Sequence, residues 1–394
     1  MKPGSILQPG QTLGILGGGQ LGRMAAREAK RAGYRVAIYT NEPHGSPAGQ
    51  LADLEINAAY YDDEARDHFL KEADVITMEF ENLPGDLLAA FEKFRPVRPG
   101  RKALEICQNR EREKLFLKEN GLPHAEFQVV KNAIDLAAAV EALGLPCVLK
   151  TAAFGYDGKG QQKLMGGEDW AQVWKNLGAP RGVVEQWVTF EKEISVVAAR
   201  GVDGSFAAFP PGENEHVHHI LDLTIAPARI APEVAAQAVE LTEKIAAALA
   251  YTGTLAVEFF LKADGSLMVN EIAPRPHNSG HHTLDACLNS QFEQQVRAVA
   301  GLPLGDARQH TPAVMGNLLG DLWPAPEHAP DWSPILKHPR AKLHLYGKRR
   351  AVAGRKMGHF TVLGDTVEQA LADAREIKAA LAAQLPARDQ PSPE

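Results

Sequence analysis

The stretch LAVEFFLKADGSLMVNEIA, residues 255 to 273, leaves the chain fewer folding choices than any other part of it. Two apolar runs flank Asp264-Gly265, a dipeptide suited to the two-residue turn of a β-hairpin, whose central positions need a backbone conformation that Asp and Gly tolerate. With Ala263 facing Ser266 across that turn, Glu258 stands opposite Glu271, on the face that also carries Phe260 and Met268. Two carboxylates at a cross-strand pair repel by some tenths of a kcal/mol up to about 1. A cation between them removes the conflict, and carboxylate oxygens suit Mg²⁺, which keeps waters and bridges nucleotide phosphates. A solvated face is the plainer reading of two glutamates, and the apolar Phe260 and Met268 beside them argue against it.

At 394 residues the chain is too long for a single core. Residues 12–40 read as strand, Gly-rich turn, helix and strand, with Leu21, Met24 and Ala25 spaced for one helix face. The strand ADVITMEF and the helix GDLLAAFEKF extend this into a doubly wound parallel unit ending near 110. Amphipathic stretches around Leu115 to Leu117 and Leu136 to Leu143 open a second unit. There CVLK, GVVEQWV and EISVVAAR, the last ending in the turn-forming GVDGS, predict antiparallel strands, with a helix over about 232–250. A smaller β-rich unit follows Gly301, with a last helix over about 366–385 and a loose tail.

Composition removes several classes of function. The chain is 45% apolar and 23% charged, the balance of a globular protein. A net charge of -7 argues against attachment to nucleic acid or anionic lipid through the overall field. Cys107, Cys147 and Cys287 form no CxxC pair, so no disulfide framework or thiolate metal site is expected, and a reducing compartment fits. Pro and Gly interrupt the N-terminal stretch, and no run of about 18 apolar residues occurs, so the expected location is cytoplasmic.

Four further groups bear on chemistry. Lys150, with Gly155, Gly158, Lys159 and Gly160, joins a compact positive charge to a backbone that can approach phosphate, although the same stretch reads equally as a flexible hairpin tip. Gly17-Gly18-Gly19-Gln20-Leu21-Gly22 matches GxGxxG between strand and helix, with Glu42 about twenty residues on. The long polar side chain of Gln20, the adjacent Pro43 and the lack of a second nucleotide half count against a dinucleotide site and hydride chemistry. A helix N-terminus there still attracts a substrate phosphate. Among the histidines, His216 and His218 would share a strand face, which raises a zinc or non-haem iron site, but no HExxH or facial-triad spacing accompanies them. PRPHNSGHH presents Arg275, His277, Asn278 and His282 just after the hairpin, as either a substrate site or an exposed polar loop. Lys348, Arg349, Arg350, Arg355 and Lys356 are either solvated charge or two hairpin arms converging on a phosphate.

GGGQLGRM, EFENLP, FGYDGKGQ, EQWV followed by Glu193, NEIAPRPHNSGHH and YGKRRAVAGRKMGH occur in that order over nearly the whole chain. Together they resemble the ATP-grasp superfamily, and within it the 5-(carboxyamino)imidazole ribonucleotide synthetases. The resemblance implies an α/β and α+β fold: a doubly wound, Rossmann-like pre-ATP-grasp domain (1–110), an ATP-grasp domain with antiparallel sheets (111–300) and a small β-rich C-terminal domain completing the substrate site (301–394). It implies ATP and Mg²⁺ as cofactors, aminoimidazole ribonucleotide and bicarbonate as partners, and a homodimer formed through the first domain. Adenine and ribose would be held by Glu185, Gln186, Trp187, Val188 and Glu193. Arg110, Lys150, Lys159, His216, Gln161 and the loop glycines Gly155, Gly158 and Gly160 would contact the rest of the nucleotide. Glu258 and Glu271 would bind the metal, with Asn270 adjacent. Ala273 stands where many relatives carry an Asn two residues past the second metal glutamate, which leaves the third protein ligand open.

Substrate positions implied in the same way are Gln20, Tyr156, Asp157, Arg275, His277, Asn278, Lys348, Arg355 and Lys356. The implied chemistry activates bicarbonate as carboxyphosphate, releases carbon dioxide beside the exocyclic amine, and leaves the amine proton to Asp157 or His277. Two rival readings are a formate-using glycinamide ribonucleotide transformylase and, from another class, a Rossmann-type oxidoreductase. A non-catalytic nucleotide-binding regulator is a third.

Overall fold

Strands that are apolar on both faces belong in the middle of a layered fold, and Thr12–Leu16 is buried at every position. In the computed structural model, which describes residues 6–153 and 160–385, this strand lies inside a four-stranded parallel sheet. The order is Leu54–Asn57, Arg35–Thr40, Thr12–Leu16, Val75–Met78. One face packs Leu13, Ile15, Val36 and Ile38 against helices Gln20–Arg31 and Gln291–Ala300. The other packs Leu16, Tyr39 and Met78 against helices Asp63–Glu72 and Gly85–Glu92. The doubly wound opening expected from the sequence is present.

Helix Gln291–Ala300 joins this sheet to the next. The Gln295 amide donates to Thr77 Oγ1 of the first sheet (2.8 Å) and accepts from the Thr254 N–H of the second (2.5 Å). A buried glutamine with both ends used fixes how the two layers sit, because either end left unpaired would cost about 1–3 kcal/mol.

The second sheet has nine strands, all antiparallel. Its path runs Leu267–Ala273, Gly253–Leu261, Lys192–Arg200, Gly212–Val217, Ile220–Ala226, Ala313–Leu319, Lys356–Leu363, Ala341–Leu345, and Phe206–Ala208 pairs with Lys192–Arg200 off that path. The C-terminal strands thus continue the central sheet. A third sheet, in the order Phe127–Val130, Gly182–Gln186, Cys147–Thr151, Gln161–Leu164, is covered by helices Ala133–Leu143 and Trp170–Leu177.

The carboxylate hairpin reaches its expected pairing by an unexpected route. Lys262 N–H donates to the Ser266 carbonyl (3.0 Å) and Gly265 N–H to the Lys262 carbonyl (2.9 Å), so Ala263 to Gly265 form a three-residue loop with Gly265 at φ +80°. Phe259, Phe260 and Leu261 then face Val269, Met268 and Leu267, one residue away from the register that a two-residue turn would set. An irregularity at Asn270 inserts one residue and brings Glu258 opposite Glu271 after all. Two departures of one residue cancel.

The turn with both central residues left-handed is elsewhere, at His218 (φ 51°) and His219 (φ 64°), between Gly212–Val217 and Ile220–Ala226. His218 therefore does not share a strand face with His216, and the metal reading built on that pair loses its geometry.

Candidate active site

A cavity of about 510 Å³ is lined from both antiparallel sheets. One part of it is apolar: Val148, Trp187, Val188, Phe190, Leu221 and Phe260 form a slot suited to a planar base. Phe190 stacks on Phe260 with centroids 4.6 Å apart and planes at 11°. The Lys163 ammonium sits 3.8 Å above the Trp187 ring. Val188 was expected here; Phe190 and Leu221 were not, since nothing in their spacing separates a slot wall from a core residue.

The next part is a buried ion cluster. Glu185 lies between Lys150 (3.1 Å) and Lys114 (3.3 Å), and the Lys114 ammonium also donates to the Asn270 carbonyl (3.0 Å). Burial alone would raise the Glu185 carboxyl, but Lys114 and Lys150 outweigh it and hold the group down to about 2. Burial pushes the Lys150 ammonium down against the pull of Glu185. Lys114 escaped sequence reading, although Glu113 and Lys114 lie four and three residues before Leu117 on the buried stripe of helix Arg110–Glu119. Glu113 accepts from the Ile272 N–H (3.0 Å), and burial, assisted by Glu271, lifts it to about 7 against the pull of Lys114. A polar recess of about 50 Å³ adjoins the cavity there and shares Arg110, Lys150 and Asn270 with it.

Glu258, Glu271, Glu193 and His216 also line the cavity. Burial, and then the neighbouring Glu271, push the Glu258 carboxyl up. His216 Nδ1 lies 2.7 Å from Glu193 Oε2. Burial opposes the imidazolium charge, and Glu193 more than compensates, so the His216 pKa rises. Two adjacent carboxylates, one of them held toward its neutral form by burial and by the other, fit a hard divalent cation that completes its shell with phosphate and water. Among the described residues no group of three or more His, Cys, Asp or Glu side chains is placed to hold a metal, so a protein-only zinc or iron site finds no support.

His277, Asn278 and Lys356 close the cavity. Both the oxygen and the nitrogen of the Asn278 amide are buried without a hydrogen-bond partner, an arrangement that awaits a ligand. Gln161, Gln186 and Asn270 also reach the lining, as expected. Gly160 does not: it lies at φ +72° at the base of a hairpin, where a side chain would meet Thr151 Oγ1 at 2.8 Å. Arg275 is held in a two-point pair with Glu81, its Nη2 2.9 Å from Glu81 Oε1. Lys348 donates to the Lys356 carbonyl (2.7 Å), Arg355 is exposed, and Gln20 opens the first helix. The expected positions Gly155, Tyr156, Asp157, Gly158 and Lys159 lie outside the described residues.

The GxGxxG turn is not open to a dinucleotide. The buried Glu79 carboxylate accepts from the Gly19 N–H (2.5 Å) and the Gly22 N–H (2.8 Å), so the helix N-terminus already holds an anion. A Cβ at Gly19 would come within 2.5 Å of that carboxylate, which is why glycine stands there. Burial raises the Glu79 carboxyl against these two N–H donors. The oxidoreductase reading fails on this contact.

Buried histidines make acid stability a testable property. Burial, then nearby positive charge, depresses His277, His281 and His359 well below the usual 6.5, and burial brings His282 to about 4. These groups are neutral in the fold, so the stability they confer is lost as pH falls below 6.5, at about 1.4 kcal/mol per pH unit each. The raised carboxyls Glu79, Glu113 and Glu258 act oppositely: the fold keeps protons that the unfolded chain has released, so stability returns as pH falls, between about 7 and 4.5 for Glu113 and Glu258. The metal-free protein should therefore show a nearly flat urea midpoint down to about pH 5. A steep fall should follow, as the histidines go unopposed and the unfolded chain takes up protons at Glu81 and Glu185, which the fold keeps ionised. A midpoint that collapses by pH 6 would contradict this.

Comparison with known proteins agrees with this architecture. Family models match in three stretches: a ribonucleotide synthetase preATP-grasp domain at 10–108, an ATP-grasp domain at 115–292, and a phosphoribosylaminoimidazole carboxylase C-terminal domain at 313–373. The chain is 45% identical to the N5-carboxyaminoimidazole ribonucleotide synthase of Bacillus subtilis, over 91% of this chain and 93% of that one. An ADP complex of an N5-carboxyaminoimidazole ribonucleotide synthetase superimposes with a TM-score of 0.89 at 43% identity, covering 98% of this chain and 100% of the other. The Aspergillus clavatus N5-carboxyaminoimidazole synthase, solved with ADP and 5-aminoimidazole ribonucleotide, gives 0.87 at 30% identity, covering 95% and 99%. Among the described residues no helix is long and apolar enough to cross a membrane. On sequence and fold alike, the chain belongs to the N5-carboxyaminoimidazole ribonucleotide synthases, ADP-forming ligases of the ATP-grasp superfamily.

Proposed function

We propose that this chain joins bicarbonate to the exocyclic amine of 5-aminoimidazole ribonucleotide with cleavage of ATP, giving N5-carboxyaminoimidazole ribonucleotide, ADP and phosphate in purine synthesis. The observation that carries this reading is that one cavity joins an apolar base slot, a lysine and carboxylate cluster, and the unpartnered Asn278 amide.

The base lies in the slot near Phe260 and Trp187, and Glu193 with His216 takes the ribose side. Lys150, Lys159 and Arg275 would supply positive charge to the transferring phosphoryl group, which needs positioning and charge neutralisation more than covalent help. Glu258 and Glu271 would hold Mg²⁺, which supplies further neutralisation of the phosphates when bound. Bicarbonate attacks the γ-phosphorus, the bond to ADP breaks, and carboxyphosphate forms. It releases carbon dioxide and phosphate, and the amine of the ribonucleotide attacks the carbon, losing its proton to a base of the site. Gln20, Tyr156, Asn278, Lys348, Arg355 and Lys356 bind and orient the ribonucleotide. The burial around His277 and Asn278 limits water at an intermediate that hydrolyses readily. The working division of the chain falls near 110 and 300, and the expected state is a cytoplasmic homodimer.

ADP release from the purified protein with ATP, Mg²⁺ and bicarbonate should rise strongly on adding 5-aminoimidazole ribonucleotide. It should stay at background with formate and glycinamide ribonucleotide; the reverse pattern would replace this reading with the transformylase.

A further inference from the structure

A line of buried side chains runs from the central sheet to His277. The Ser279 N–H points at His277 Nδ1 (3.4 Å), and the Ser279 hydroxyl lies 2.9 Å from the same nitrogen. A backbone N–H only donates, so Nδ1 accepts, and the proton of the neutral ring sits on Nε2. The Ser279 hydroxyl must then give its hydrogen to Nδ1 as well. Its oxygen accepts from the Ser195 hydroxyl (2.8 Å), Ser195 accepts from the Asn214 amide nitrogen (3.0 Å), and the Asn214 oxygen accepts from the Thr224 hydroxyl (3.0 Å). Every hydrogen runs the same way. Ser279, Ser195, Asn214 and Thr224 are 1%, 2%, 6% and 0% exposed, so water does not compete for these bonds. At the other side of the ring, Nε2 lies 3.4 Å from Glu258 Oε1 on the cavity wall.

We infer that Ser279 and Ser195 are positioning residues that hold His277 in the Nε2–H tautomer, so that it meets the cavity as a neutral hydrogen-bond donor and not as a base. An Nδ1 that accepts hydrogen carries no proton of its own, so the ring held this way is neutral. A neutral imidazole N–H suits an anionic oxygen, such as one on the carboxy group being transferred. A nitrogen that already carries hydrogen cannot take the amine proton, so His277 is not the base that receives it. The catalytic half of this inference rests on the reaction proposed above; the tautomer does not.

The test is nitrogen NMR of protein labelled at histidine, with the His277 signals identified by their loss in His277→Gln. Wild type should show Nδ1 unprotonated and Nε2 protonated. In Ser279→Ala the ring should become a mixture of tautomers, and the kcat for ribonucleotide-dependent turnover should fall roughly tenfold while the KM for ATP is unchanged. Ser195→Ala, which keeps the serine beside the ring, should shift both readouts in the same direction by less, and serves if Ser279→Ala does not fold. Wild-type His277 protonated on Nδ1, or variants with an unchanged tautomer and unchanged kcat, would overturn the relay. The ring spectrum is read without substrate, so an absence of ribonucleotide-dependent turnover would count against the proposed reaction and not against the relay.

Discussion

Glu271→Ala is expected to lower ATP cleavage by at least about a thousandfold while leaving the fold as stable as before or slightly more so. Charge neutralisation by a bound divalent cation is worth several kcal/mol in the transition state of phosphoryl transfer, and each 1.4 kcal/mol is a factor of ten. The side chain of Glu271 opens on the cavity and supports no core contact, so its loss leaves no hole. Its removal also relieves the repulsion that pushes Glu258 up, worth some tenths of a kcal/mol up to about 1. Glu258→Gln should behave alike. Activity and thermal midpoint measured together decide the matter: an inactive variant that has also lost several degrees of stability would mean that the pair is a structural element of the hairpin and not a metal site.

Glu185→Ala has the opposite signature, a loss of stability of about 3–5 kcal/mol in urea denaturation. The carboxylate is the shared counter-charge of Lys114 and Lys150, and Lys114 is only 1% exposed. Taking it away strands two ammonium groups in the interior. Replacing the cluster entirely, with Glu185→Leu, Lys114→Met and Lys150→Met, should recover much of that loss because no charge is then left unpaired, while activity stays absent. A Glu185→Ala protein within about 1 kcal/mol of wild type would show that water reaches these lysines freely.

Elements with a strong local period were legible from the residues alone: the buried strand Thr12–Leu16, the helix after it, and the strands that carry Lys150 and Glu185. The pairing of Glu258 with Glu271 was legible in outcome but not in cause, since turn length and a bulge inside a strand follow from packing at both ends of a hairpin and not from the turn dipeptide. Contacts between distant segments left no local trace. Glu79 reads as one more residue of a strand end, and only the fold brings it to the N–H groups of Gly19 and Gly22. Gln295 reads as a polar position on an amphipathic helix, and two sheets must be assembled before both its ends find partners. Lys114 was the recoverable omission, because a charge on the apolar stripe of a helix asks for a buried partner.

In the reaction proposed above, a bicarbonate oxygen attacks the γ-phosphate of ATP in this cavity. Oxygen-18 bicarbonate supplied with ATP and 5-aminoimidazole ribonucleotide tests it most directly, with mass analysis of the released phosphate. Wild type should release phosphate that carries one labelled oxygen, and Glu271→Ala none above background. Phosphate that carries no label during ribonucleotide-dependent turnover would contradict it.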